Sequence, residues 1–321
     1  MQATERKKFL LRVATLLVMA LVLYFVVGAL RRDGPAALEA WRTARVRWSW
    51  VGIATVLAFV GPVVSALGWQ RLLIDLGVPV RFGWVLRLFL VSNLGRYLPG
   101  GKAWQLGIVA MMSTERGLPA ALVTGSSFLL GIVGMGVGAI LLLPLSGAMI
   151  GGAAPLFALG VAGLEALLAL PAILRRTPRL RAQLARRVPG IDTVTSATMW
   201  AVTWTAAVAW CAWGVALYAL AWALLPSPGA PLALYVAAWI GSFLAGLLAV
   251  FSPGGLGVRE GAMQTALVAA GVTTSSALLV VIVVRVFQTV LEIVPALILL
   301  VLGRRSARPD AARAVPADAV R

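Results

Sequence analysis

Six stretches of the chain stay apolar long enough to cross a bilayer, at about 9–30, 49–73, 119–143, 152–174, 198–225 and 277–302. A helix needs roughly 20 residues for a hydrocarbon core of about 30 Å. The first stretch follows a basic start (Arg6, Lys7, Lys8, Arg12) and runs from Val13 to Leu30. That exceeds the roughly 7–15 apolar residues of a cleaved signal peptide, so it reads as a retained span. Two further apolar regions are broken in the middle. Residues 84–98 carry Arg87, Asn93 and Arg96 and stop at Pro99-Gly100-Gly101, after which 103–113 form a second short arm. At 1.5 Å per residue these arms measure about 22 and 16 Å. Neither spans alone, and together they suit a hairpin that enters the membrane and returns on the same side. The second broken region has an arm at 232–251, then SPGGLGVRE (252–260), then a short arm to Gly271. The predicted fold is an all-α polytopic membrane protein. It has about six full transmembrane helices plus two re-entrant helical hairpins, or up to ten crossings if the hairpins span.

The two broken regions repeat one another. Pro99, Gly100, Gly101, Gly107 and Gly117 recur as Pro253, Gly254, Gly255, Gly261 and Gly271, all 154 positions further on. The flanking spans match at nearly the same offset. A single membrane domain, 1–302, therefore contains unit A at about 49–143 and unit B at about 198–302. Three full spans lie between the starts of the units, and an odd number turns the second upside down. Inverted repeats with paired Gly/Pro-interrupted segments point to a transporter's midplane site. Non-helical backbone at that depth must be buried in protein or line a cavity. The small-residue run GIVGMGVGA (131–139) is assigned to close helix packing, and the tryptophans mostly to interface anchoring.

Composition sharpens the picture. The chain of 321 residues is 61% hydrophobic and 12% charged, with a mean hydropathy of +0.95; soluble domains carry about 25% charge. A net charge of +17 would suggest nucleic acid in a soluble protein. Here the basic residues lie between apolar runs, where they orient the chain and meet anionic head groups, so no nucleic-acid partner is expected. With a cytoplasmic N-terminus, Arg71, Arg81, Arg116, the loop 175–192 with its RRTPRLRAQLARR run and the basic tail 303–321 fall on the cytoplasmic side. The opposite side receives 144–151 and 226–231, which carry no charge. Both termini are expected in the cytoplasm of a multi-pass inner (cell) membrane protein. Segment 31–48, with Arg31, Arg32, Arg42, Arg45 and Arg47, opposes this pattern, and Trp41, Trp48 and Trp50 suit an interfacial helix there. The single Cys211 and the absence of His exclude internal disulfides, cysteine metal sites, a Ser-His-Asp triad and most zinc sites. No metal, cofactor or catalytic residue is expected.

Charge inside the spans carries the candidate chemistry. A charged residue near a span centre costs about 2.5–3.5 kcal/mol on insertion scales. Arg285, Gln288 and Glu292 share one face of 277–302. Arg285 and Glu292 lie about 10.5 Å apart along the axis, so each needs a partner from elsewhere. On one reading Glu260 pairs with Arg285 or Arg96 as structural glue. On the other, Arg96, Lys102, Arg259 and Arg285 present positive charge to a phosphate, with Glu260 and Glu292 balancing the empty site or binding a coupling proton. The candidate substrate-binding set is Asn93, Arg96, Pro99, Gly100, Gly101, Lys102 and Gln105 from the first region. From the second unit come Pro253, Gly254, Gly255, Gly257, Arg259, Glu260, Arg285, Gln288 and Glu292. Glu165, within 152–174, is assigned to a structural pair.

Asn93 with Pro99-Gly100-Gly101, then FSPGGLGVREGAMQTAL (251–267) with Gly271 and Arg285 downstream, resemble the flippase-like membrane domain of lysylphosphatidylglycerol synthases. The resemblance extends over roughly 10–302. It implies re-entrant helices around a cavity and movement of aminoacylated or other anionic lipids between leaflets. Ala103-Trp104-Gln105 and Ile108 stand where that family's first motif continues as Gly-Glu and then Arg, so a different head group is expected. The short stretch after Gly303 leaves no room for a synthase domain. The expected function is flipping of an anionic phospholipid or lipid-linked precursor, without enzyme activity. Two alternatives remain: a non-transporting protein partner of a lipid or cell-envelope enzyme, docked through the basic loop, and a lipid-linked glycosyltransferase. The uncharged outer loops weigh against the latter.

Overall fold

A computed structural model describes residues 45–97, 101–146, 154–179, 193–248, Gly255 and 257–306, with a few positions in 35–42 and 182–183. The predicted first span 9–30, most of the basic loop and the tail beyond 306 lie outside the described residues. So do Pro99, Gly100, Pro253 and Gly254.

Every regular element among the described residues is helical. In unit A these are α1 (Trp48–Asp75), α2 (Phe82–Asn93), a 3₁₀ turn (Leu94–Tyr97), α3 (Gly101–Thr114) and α4 (Ala120–Ser146). A linking helix α5 (Ala154–Arg176) follows. Unit B contains α6 (Ser196–Leu224), α7 (Leu232–Leu248), α8 (Val258–Ala269) and α9 (Thr274–Ser306). The order long helix, two short arms, long helix thus occurs twice. Among the described residues four helices are long and apolar enough to cross a membrane: α1, Ala120–Leu142 of α4, α6 and Thr274–Val301 of α9. These coincide with four of the predicted spans, and α5, at 23 residues, covers the fifth. The arms α2, α3, α7 and α8 have 12, 14, 17 and 12 residues. They therefore extend about 18, 21, 26 and 18 Å, each short of a bilayer core. At Gly117 and Gly271 the chain turns from the second short arm into the long helix with φ of +67° and +99°. That is a conformation glycine adopts without a Cβ clash, and it accounts for one of the repeated pairs.

The first helices of the two units run antiparallel along their whole length. At one end Arg47 N donates to Ala223 O at 2.9 Å. At the other, Asp75 Oδ2 accepts from Thr195 N at 3.1 Å and from Thr195 Oγ1 at 3.0 Å. Between them Gly61 lies against the Trp213 ring and Gly68 against Thr205. Missing side chains at these two points let the backbones approach, as small residues do between membrane helices. One basic residue of the opposing segment finds its role here. Arg47 donates to the Leu225 carbonyl at the C-terminal end of α6 and sits 5.1 Å over the Trp222 ring. A cation is favoured at that end of a helix.

Candidate functional site

A cavity of about 460 Å³ is bounded by α1, α2, α3, α4, α6, α7 and α9. Its long wall is apolar, with Phe59, Phe128, Ile132, Met135, Trp210 and Trp213 among the lining side chains. Phe59 on α1 and Phe128, Ile132 and Met135 on α4 are exposed. The volume exists because α4 presents glycines to it. A Cβ added at Gly131 or Gly134 would meet nothing within 4 Å. At these two positions this corrects the sequence-based assignment of the side-chain space to helix packing. Gly138 fits that assignment, since its Cβ would stand 3.1 Å from the Trp210 ring, and the Gly134 carbonyl meets α6 by accepting from Trp210 Nε1 at 2.8 Å.

One end of the cavity is polar, built from the first arm pair and α9. Asn93 ends α2 and Gln105 sits one turn into α3. Gln105 Nε2 donates to Asn93 Oδ1 at 2.7 Å, which ties the arms together. Gly95 makes the crossing possible, because a Cβ there would be 2.5 Å from Gln105 N. Lys102 Nζ donates to Gln105 Oε1 at 3.1 Å. Among the described residues no carboxylate pairs with Lys102. Gly101 opens α3 beneath it, facing Arg96 O. Glu292, nearly buried, holds the tip of the first arm to α9. It accepts from Arg96 Nη2 at 2.7 Å, Tyr97 Oη at 2.5 Å and Gln288 Nε2 at 2.6 Å. Three donors thus share one buried carboxylate, which is the condition under which an intramembrane ion pair is stable.

The second arm pair is arranged differently. Gly257 starts α8, and its N–H donates to Glu260 Oε2 at 2.5 Å. Glu260 Oε1 lies 3.1 Å from Arg285 Nε. Of the two partners open to Glu260 on the sequence, Arg285 is the one it takes. Arg259 is buried, with its guanidinium carbon 4.5 Å over the Trp239 ring and 4.7 Å over Phe243. Trp239, Arg259, Glu260, Arg285 and Gln288 line a small pocket of about 10 Å³. The arms touch at glycines here too, since a Cβ on Gly255 would be 2.9 Å from Gly246 Cα.

The described candidates therefore form two clusters that meet at Gln288. Asn93, Arg96, Lys102, Gln105, Gln288 and Glu292 face the cavity. Arg259, Glu260, Arg285 and Gln288 face the small pocket. Gly101, Gly255 and Gly257 shape backbone instead. Sequence reasoning missed Tyr97, Trp239 and Phe243, and it read the tryptophans mostly as interface anchors. Trp69, Trp84 and Trp239 are buried, and Trp210 and Trp213 line the cavity; only their central position within apolar runs hinted at this. Glu165 is exposed on α5 and makes no ion pair among the described residues, against the expected structural pair.

A family model described as Lysylphosphatidylglycerol synthase TM region matches residues 11–296. No curated protein matches the chain.

Proposed function

The chain belongs to the lysylphosphatidylglycerol synthase transmembrane-region family, and we propose that it moves an anionic phospholipid or lipid-linked precursor between leaflets. The observation that carries this reading is the cavity's two unlike ends. One is apolar; the other holds Lys102, a cation that no described carboxylate neutralises. An amphipathic anion matches both. Its phosphate would sit at Lys102 with the Asn93 and Gln105 amides beside it, and its acyl chains would run along the aromatic wall toward Phe128. Charge-assisted hydrogen bonds of this kind are stronger than neutral ones.

Two further features support the reading. The arms are too short to span, which suits re-entrant hairpins that bring polar groups to mid-depth. The antiparallel α1 and α6 suit units of opposite orientation, each presenting one hairpin. In this scheme Glu292 and Glu260 are structural partners of Arg96 and Arg285, while Lys102 is left to meet substrate. The protein is then a transporter in the inner membrane rather than an enzyme.

The test uses purified protein in proteoliposomes with fluorescently labelled phosphatidylglycerol, reading how much inner-leaflet label becomes accessible to dithionite. Wild type is expected to flip the lipid. Lys102→Gln should slow it by about tenfold or more, the value of one hydrogen bond to a charged group, with unchanged thermal unfolding. Lys102→Arg should keep most of the rate. Wild-type flipping no faster than protein-free vesicles would overturn the proposal.

A further inference from the structure

Building on the transport reading, we propose that Arg259 is a second phosphate station, closed off from the cavity by a gate made of Trp239 and Phe243. Arg259 is 5% exposed. Among the described residues its Nη2 atom is buried without a hydrogen-bond partner. The carboxylate beside it in sequence, Glu260, is turned away toward Arg285 and the Gly257 N–H. A buried arginine that only packs takes a carboxylate or several acceptors. This one has two aromatic faces, which recover only part of the lost hydration.

The barrier between Arg259 and the cavity is made of side chains. Trp239 and Gln288 line both the small pocket and the large cavity, and Phe243 lines the cavity directly beneath the guanidinium. The small pocket, at about 10 Å³, is on the order of one water in size, too little for a phosphate. A phosphate reaches Arg259 only if the rings move. Trp239 stacks on Trp213, itself a cavity wall, at 4.9 Å and 3°. Lipid pressing on Trp213 therefore acts on the gate.

The charge of the two clusters points to the same ligand. Arg96 and Lys102 with Glu292 leave one positive charge, and Arg259 and Arg285 with Glu260 also leave one. Each cluster has one arginine held by a carboxylate and one cation that is not. A phosphodiester head group suits both. Passage then consists of transfer from Lys102 to Arg259 past the aromatic pair.

Native mass spectrometry of the purified protein with dioleoyl-phosphatidylglycerol tests the station without relying on transport. Wild type should hold one lipid, Trp239→Ala two, and the Trp239→Ala/Arg259→Gln double variant one. Trp239→Phe, which keeps more of the packing, provides the same comparison if the alanine variant is not monodisperse. In proteoliposomes Arg259→Gln should slow flipping by about tenfold, with partial rescue by Arg259→Lys. The first lipid should remain bound in both. Equal lipid counts in wild type and the gate variants, or a second lipid that survives Arg259→Gln, would overturn the station and make Arg259 structural. Should wild type bind lipid without flipping it, the transport reading fails while the lipid counts still decide the station.

Discussion

The two arm pairs share a backbone plan and differ in access. In the first, Lys102, Arg96, Asn93 and Gln105 face a cavity of about 460 Å³. In the second, Arg259, Glu260 and Arg285 face a pocket of about 10 Å³ under Trp239. At the repeat offset of 154, α9 carries Arg285, Gln288 and Glu292 where α4 carries Gly131, Gly134 and Gly138. Likewise Arg259 replaces Gln105, and Trp239 replaces Val85. Unit B thus carries polar side chains where unit A has glycines, of which Gly131 and Gly134 face open space and Gly138 abuts Trp210. The repeat preserves turns and helix lengths, while the substitutions within it determine where a ligand fits.

The comparison breaks most readily at its two ion pairs. Glu292→Ala leaves Arg96, Tyr97 and Gln288 without their shared acceptor. It should cost about 3–5 kcal/mol, the penalty for stranding one partner of a buried pair, read as thermal unfolding in detergent. The Glu260–Arg285 pair is more open, at 23% and 16% side-chain exposure. Glu260→Gln should therefore cost about 1–3 kcal/mol. A larger loss at Glu260 than at Glu292 would reverse the assignment of the tighter anchor to the first cluster.

Smaller effects test the backbone. Gly255 has φ +70° and packs on Gly246, so Gly255→Ala should cost about 1–3 kcal/mol in the same assay. Its counterpart Gly101 has only Arg96 O at 3.4 Å facing a Cβ, and Gly101→Ala should stay within about 0.5 kcal/mol. Equal costs would mean that the two arm pairs cross alike. Least disruptive is Gly131→Leu, which enters open space and should also change stability by less than about 0.5 kcal/mol. It should still slow lipid flipping in proteoliposomes, because it occupies the cavity. Unchanged flipping would remove this cavity from the path.

Much of the architecture was legible in the chain. The long apolar runs, the arms too short to span and the glycine pairs at one offset rest on length and composition, and the helices follow them. The polar stripe Arg285-Gln288-Glu292 was legible because helical spacing places those residues on one face. Their partners were not. Glu260 had two arginines open to it, and Arg96 proved to belong to Glu292. Gly131 and Gly134 read as packing residues because a glycine's meaning depends on what stands opposite. The role of Trp239 depends on Arg259, twenty positions away in another helix.

Taken by itself, the sequence determined a lipid-dissolved helical bundle with two broken arm pairs and a few costly charges, since hydropathy and period are properties of a local stretch. The tertiary structure decided which cation meets which carboxylate, which face of α4 is left empty, and which cluster is covered by aromatic rings. These depend on helices far apart in sequence coming within a few ångströms of one another. A buried charge must find its partner there, and a missing side chain becomes either a contact or a cavity.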